Sequence, residues 1–200
     1  EMVEAVESAA AALERCGARR VEVDLPELKS AFDIWTAMIT DISEHGYDHV
    51  LGDGEAMSVR RELLRLMLGG RRRTWPAVLI AGIEKLAESI DRRRPMFIER
   101  GRQLKEKLDS VLGNDGLLLH PPYARTAPRH RTALFSPFAP AYTAIFNVME
   151  SPVSTLPINY SAKGLPIGVQ IVGSWGMDGL CLHAAKCLEM EFGGFRPALP

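Results

Sequence analysis

The sequence predicts an α/β fold, and three of its features lead to that prediction. Apolar residues recur at helical spacing over residues 1–16, and residues 21–25 then alternate apolar and acidic side chains, as a half-buried strand does. Two uncharged, strand-like runs, residues 152–158 and 164–173, are followed by a second amphipathic helix pattern at 178–191. Helical and strand periods that alternate along one chain are typical of helices packed against a sheet.

The first half of the chain is predicted to be mainly helical. The opening helix stops at Gly17, and the strand after it ends at Pro26, which has no backbone N–H to donate. A second helix is predicted over 27–43 because apolar residues return every three or four positions. Residues 56–110 are predicted to be mostly helical, with a turn at 69–70 where two glycines meet.

The second half is predicted to supply most of the sheet. A turn at 113–116 leads into a short buried strand at 117–119, and a helix is predicted around 139–149. The two apolar runs near the end are then predicted to be strands joined by a turn at 159–164, which reads NYSAKG.

Length and composition limit the classes of function. Two hundred residues with 46% hydrophobic side chains suit one domain, or one part of a larger one. A formal net charge of -1 provides no basic field, so we expect no nucleic-acid partner. Three scattered cysteines favour a reducing, intracellular location, in the cytoplasm or at a membrane surface. Residues 1–16 contain no signal-peptide pattern, and the helix at the very start suggests a segment of a longer protein.

Local patterns for metal binding and nucleophilic catalysis are weak. His45 and His49 are four residues apart, but Gly46 lies between them and no H-E-x-x-H is present, so we predict no metal site and no cofactor. Ser161 and Lys163 are a tempting catalytic pair. Their place between two apolar strands instead favours a solvated turn.

Residues 58–75 combine leucines with six arginines and a flanking tryptophan. A basic amphipathic helix of this kind binds anionic membrane surfaces in some peripheral proteins. The alternative is an ordinary surface helix with solvated or paired arginines. The segment is therefore a candidate peripheral membrane contact, with the surface helix as the favoured interpretation.

The spacing of prolines and glycines after residue 145 carries a family resemblance. It is formed by Phe146, Asn147, Pro152, Pro157, Gly164, Leu165, Pro166, Gly168, Gln170, Val172, Gly173 and Asp178. This pattern resembles the C-terminal region of the amidase signature family, and it is most similar to the fatty-acid amide hydrolase branch. The resemblance spans nearly all of residues 1–200, strongly over 134–195 and more loosely over 27–110.

The resemblance implies an α/β fold with a mixed central β-sheet covered by helices on both faces. It implies that residues 1–200 are the C-terminal portion of a single amidase domain, whose missing N-terminal half is their partner. Members of the family hydrolyse amides through a Ser–cis-Ser–Lys triad and an acyl-enzyme. No Gly-Gly-Ser or Ser-Ser occurs in the sequence, so no catalytic residue is assigned and the chain alone is expected to be inert.

The resemblance also implies a place for the substrate, a small amide with an acyl chain. Tyr142, Thr143 and Phe146 are predicted to form a pocket wall, and Trp175 is predicted to lie near the pocket mouth. The alternative is that they are ordinary core aromatics. Two residues depart from the family pattern: Glu150 replaces a glycine in a tight turn, and Pro122 replaces a threonine after the buried strand.

Two other functions stay open. One is an amidase of another substrate class, such as an amidotransferase of the A type. The other is a truncated, non-catalytic binding module that keeps an apolar pocket. We also expect residues 1–200 alone to expose apolar surface and a sheet edge, and therefore to associate.

Overall fold

The computed structural model of the chain describes residues 1–42, 58–70, 78, 92–130, 132, 136 and 138–196. They fall into two compact units. The first unit, residues 1–35 with 100–200, contains the sheet, and the second unit is formed by residues 36–99. His45 and His49 lie outside the described residues.

The described elements are mostly helices. In chain order they are α1 (Met2–Arg15), a short 3₁₀ helix (Pro26–Ser30), α2 (Ala31–Ile42), α3 (Val59–Met67), α4 (Arg94–Leu112), β1 (Leu118–His120), α5 (Ala141–Val148), β2 (Val153–Tyr160), β3 (Pro166–Val172) and α6 (Asp178–Phe192).

Three antiparallel strands form the described sheet, in the order β1-β3-β2. The central strand β3 pairs Val172 with Leu118 on one side and with Val153 on the other. A bulge interrupts the β2–β3 register between Pro157 and Asn159. The central strand is thus the apolar, glycine-flanked run near the end of the sequence, and a strand whose two faces are both covered needs few polar side chains.

Helices α1 and α6 cover one face of this sheet. Alanines spaced along α1 let the helix backbone approach the strands closely, and branched side chains of β3 fill the space beneath. The buried members of this core are Ala5, Ala9, Ala12, Leu156, Ile158, Ile167, Val169, Ile171, Ala184 and Leu188. Alternate residues of β3 therefore all point toward the same helices.

The other face of β3 meets α5. Gln170, between Val169 and Ile171, projects to this second face and donates a hydrogen bond to the carbonyl of Tyr142 in α5. His120, its cross-strand neighbour in β1, packs against the rings of Tyr142 and Phe146. The described sheet thus carries helices on both faces, as the resemblance implies.

Most predicted elements are confirmed, but the strand at 21–25 is wrong. Those residues adopt no regular secondary structure; Val21 is 60% exposed, and Arg20 pairs with Glu7 of α1. An alternating pattern gives a segment one apolar face, but a strand also needs an edge whose backbone groups it can pair with. None of the described strands pairs with residues 21–25.

The turn between β2 and β3 forms as predicted. The Ser161 hydroxyl accepts hydrogen bonds from the backbone N–H groups of Lys163 and Leu165, at 3.3 and 3.1 Å. Lys163 itself is exposed. Ser161 is therefore used to close the turn, as serine often is.

Candidate functional site

A cleft of about 500 Å³ lies in the first unit, between the segment that starts α2 and the first turns of α5. Its walls come from distant parts of the sequence. They are Leu25, Leu28, Lys29, Ala31, Phe32, Asp33, His120, Phe138, Ala141, Tyr142 and Ile145. Clefts of this volume hold small organic ligands in many proteins.

The cleft is largely apolar, and aromatic rings support one side of it. Phe32 and Phe138 meet edge to face, with ring centroids 5.0 Å apart, and Trp35 lies 5.9 Å from Phe32. The Phe138 side chain remains 66% exposed, so it borders the opening rather than the interior. Lys29 and Asp33, one helical turn apart, are the ionisable groups on this wall.

His120 is the titratable group on the opposite wall. Its ring centroid lies 5.6 Å from that of Tyr142 and 5.3 Å from that of Phe146, with the second pair edge to face. Burial lowers the pKa of His120, although a hydrogen bond with the backbone of Pro121 acts in the opposite direction. His120 is therefore neutral at pH 7, and this wall of the cleft carries no charge.

Behind that wall, the side chain of Gln170 links strand β1 to helix α5. Its buried amide nitrogen donates to the carbonyl oxygens of Tyr142 and Pro121, at 2.9 and 3.2 Å, and lies 3.4 Å from Nδ1 of His120. A polar side chain escapes the desolvation penalty in such a place only if it finds partners. The glutamine thus holds strand β1, the proline after it and helix α5 in one arrangement.

Of the four residues predicted to bind substrate, Tyr142 lines the cleft. Phe146 lies behind it, fully buried against His120. Thr143 is exposed and its hydroxyl donates to the carbonyl of Pro140, 3.2 Å away, and Trp175 is 72% exposed and does not line the cleft. A substrate-binding role for these residues stays a prediction.

Sequence reasoning missed the wall formed by Leu28, Phe32 and Phe138. Leu28 and Phe32 are four residues apart, a spacing that places them on one helical face. This spacing predicts an apolar face, but it does not predict which residues pack against that face. His120 carried a weaker signal, since it is a histidine that directly follows three leucines.

Glu150, which replaces the family's turn glycine, keeps the turn. Its φ angle is 56°, in the left-handed region that glycine prefers, and its carboxylate pairs with Lys105 at the surface. The hydrogen bond and charge of Lys105 lower the pKa of Glu150. The Glu150 carboxylate therefore lies in solvent, and it does not disturb the turn that connects α5 to β2.

Across the described residues, no helix combines the length and apolar character that a membrane span requires.

Comparison with known proteins agrees with the resemblance. The family model "Amidase" matches residues 1–182. Fatty-acid amide hydrolase 2-A of Danio rerio is 34% identical over 186 residues, which cover 90% of this chain and 35% of that protein. The chain thus spans about a third of the length of this relative.

Solved structures show the same fold. The structure of 6-aminohexanoate cyclic dimer hydrolase superposes with a TM-score of 0.62 at 26% identity, covering 96% of this chain and 41% of that one. Allophanate hydrolase from Kluyveromyces lactis, at 18% identity and a TM-score of 0.60, shares the fold over 96% of this chain and 30% of its own. With a family match over most of its length and relatives above 30% identity, the chain belongs to the amidase family, whose members act on amides.

Proposed function

We propose that the protein to which this chain belongs hydrolyses amides of carboxylic acids, including fatty-acid amides, and that residues 1–200 bind the acyl part. The observation that supports this is the cleft, whose walls are mostly apolar and whose histidine is neutral. An acyl chain has no group that needs a polar partner. Each CH₂ that leaves water for such a wall contributes about 0.8 kcal/mol.

The chemistry itself is assigned to residues outside this chain. In the proposed mechanism a lysine activates one serine through a second, cis-serine, and the nucleophile forms an acyl-enzyme that water resolves. Because neither a Gly-Gly-Ser nor a Ser-Ser stretch occurs here, residues 1–200 alone are expected to give no turnover. Their part is to exclude water from the acyl chain and to position its carbonyl.

The test compares acyl amides of increasing chain length as substrates of the protein that includes these residues. Phe138→Ala removes an exposed ring from the cleft wall, so folding is expected to survive. The ratio of kcat/KM for a long-chain amide over a short-chain amide is expected to fall by about tenfold. Phe195→Ala is the matched control, because Phe195 is similarly exposed but does not line the cleft.

An unchanged ratio in Phe138→Ala would contradict acyl binding in this cleft. Trp175→Ala is tested in the same way. A change in the ratio of kcat/KM for long-chain over short-chain amides would place Trp175 at the pocket mouth, and an unchanged ratio would make it an ordinary surface residue. Binding of a fluorescent fatty acid without turnover of any amide would instead indicate the non-catalytic binding module. Turnover of glutamine but of no acyl amide would indicate an amidotransferase-type enzyme.

We also propose a peripheral membrane contact by the segment 58–75, of which residues 58–70 are described. In α3 and the residue after it, Leu64, Met67 and Leu68 are exposed, and Arg65 pairs with Glu62. Apolar side chains at the surface beside arginines suit an anionic bilayer. Sedimentation with anionic and neutral vesicles tests this; equal, low binding to both would leave α3 an ordinary surface helix.

A further inference from the structure

The seam between α1 and α6 brings together two cysteines from opposite ends of the chain. Ala5, Ala9 and Ala12 mark the buried face of α1, and Cys16, the residue after the helix, continues the same spacing. On α6, residues 183, 187 and 191 are spaced by four and so share one side of the helix. Glu191 at the end of that row pairs with Arg15, with a nitrogen–oxygen distance of 2.7 Å.

The Arg15–Glu191 ion pair brings Cys16, the neighbour of Arg15, to the part of the seam where Cys187 lies one turn before Glu191. The Cys187 sulfur also lies 3.9 Å from Nε2 of His183, one turn earlier on α6. Partial desolvation and a hydrogen bond with Cys187 raise the pKa of Cys16; the Glu191 charge adds to the rise and Arg15 opposes it. Cys16 is exposed and Cys187 is half-buried, so small oxidants reach both, whereas Cys181 is 1% exposed.

We propose that Cys16 and Cys187 form a redox-sensitive thiol pair that closes to a disulfide when the protein meets hydrogen peroxide. The ion pair between Arg15 and Glu191 holds the two helix ends beside each other, and the His183 imidazole lies next to one of the two thiols. The site is separate from the cleft, and it does not depend on the proposed amidase activity.

The reaction takes two steps. Cys187 passes its proton to His183 and attacks one peroxide oxygen; the O–O bond breaks, the leaving hydroxide regains that proton as water, and Cys187 becomes a sulfenic acid. The Cys16 sulfur then attacks the Cys187 sulfur, the S–S bond forms, the S–O bond breaks, and the hydroxide leaves with the Cys16 proton as a second water. Two electrons leave the two sulfurs and reduce one peroxide to two waters.

The bond would fasten α1 to α6 on the face of the sheet that both helices cover. Because it joins residues near the two ends of the chain, it closes a long loop and restricts the unfolded state. The oxidised protein is therefore expected to melt higher than the reduced protein, by about 5 °C or more.

The test is a thiol count on the folded protein before and after millimolar peroxide, with the linkage mapped by mass spectrometry. Two of the three thiols are expected to disappear, to be recovered with dithiothreitol, and to map to one peptide pair containing Cys16 and Cys187. Cys16→Ser and Cys187→Ser are each expected to abolish the bond, and Cys181→Ala to leave it intact. His183→Gln is expected to slow thiol loss severalfold, because the proton acceptor for Cys187 is gone.

Three results would overturn the proposal. The first is a full complement of thiols after treatment. The second is a linkage that includes Cys181 or joins two chains, seen as a dimer on a non-reducing gel. The third is the same bond yield in Cys16→Ser as in the wild type.

Discussion

At the scale of single residues, Gln170 explains why one amide stands inside the most apolar strand of the chain. On one face of the strand every side chain meets hydrocarbon, and on the other the Gln170 amide bonds the carbonyls of Pro121 and Tyr142. On this second face, Gln170 is the residue of β3 that supplies a side-chain hydrogen-bond donor. Its position decides where α5 and β1 meet, and hence the shape of the cleft wall.

Gln170→Met keeps the length of the side chain and removes its donors. We expect a loss of about 1–3 kcal/mol in the free energy of unfolding, because the Pro121 carbonyl loses a partner inside the protein. Gln170→Glu is expected to lose more at pH 8, since a buried carboxylate would face two carbonyl oxygens. Urea unfolding of both variants at pH 8 measures this, and a Glu variant as stable as the Met variant would contradict it.

His120 predicts a pH dependence with a definite sign. Burial lowers its pKa in the folded state, so the unfolded state binds a proton more readily below a pH of about 6.5. The free energy of unfolding should therefore be highest above that pH and fall as the pH drops through it toward the folded pKa. This is the sign expected of a partly buried histidine that is neutral in the folded state.

Thermal melts of the wild type and His120→Asn between pH 8 and pH 5 measure this dependence. The wild type is expected to lose more of its Tm on acidification than His120→Asn does. His130→Asn, at an exposed position, is the control and should follow the wild type. Parallel curves for the wild type and His120→Asn would contradict the assignment.

At the scale of elements, the junction of β3 and α6 depends on a glycine. A Cβ atom at Gly173 would lie 2.8 Å from the Cys181 sulfur and 3.3 Å from Cβ of Met177. Both neighbours belong to the start of α6, and Cys181 is buried. The absence of a side chain at Gly173 therefore lets the helix begin close beneath the end of the strand.

Gly173→Ala is expected to cost about 1–3 kcal/mol, because the added methyl group overpacks this junction. In a Cys181→Ala background the same change should cost less, since the sulfur that it meets is gone; the difference is the coupling between the two sites. Gly179→Ala, where an added Cβ meets nothing within 4 Å, is the matched control and should stabilise α6 by about 0.5 kcal/mol. Equal costs of Gly173→Ala in both backgrounds would show that the contact does not matter.

At the scale of the whole molecule, residues 1–200 present surfaces that a complete fold of the family would be expected to cover. Large apolar side chains such as Trp175, Met190 and Phe195 are more than 70% exposed. Strands β1 and β2 lie at the edges of the described sheet. Exposed apolar patches and unpaired strand edges promote association.

We therefore expect residues 1–200, expressed alone, to self-associate and to show no amidase turnover. Sedimentation velocity over a range of concentrations measures the first, and an acyl-amide assay the second. A monomer with one cooperative melting transition would contradict the first expectation. Turnover above the buffer rate would contradict the second and would require a nucleophile within this chain.

Periodicity and residue spacing were enough to predict most of the described elements. The β2–β3 hairpin, α5 and α6 follow from apolar runs and turn residues that lie next to one another in the sequence, where local propensity and burial agree. The family followed from the positions of prolines and glycines, because those residues impose backbone shapes that few other residues allow. Residues 21–25 show the limit of this kind of prediction. The sequence shows that their side chains alternate, but it does not show whether another strand pairs with them.

The sequence by itself therefore determined most of the local elements, the family and the lack of the Gly-Gly-Ser and Ser-Ser stretches that the expected mechanism uses. Only the tertiary structure decided which distant residues meet: Phe32 with Phe138, Gln170 with Tyr142, and Arg15 with Glu191 at the seam that holds the two cysteines. Helical and strand periods report which side of an element is buried. They do not report which other element that side packs against. The cleft and the thiol pair both depend on contacts between elements that are distant in the sequence, so only the tertiary structure could reveal them.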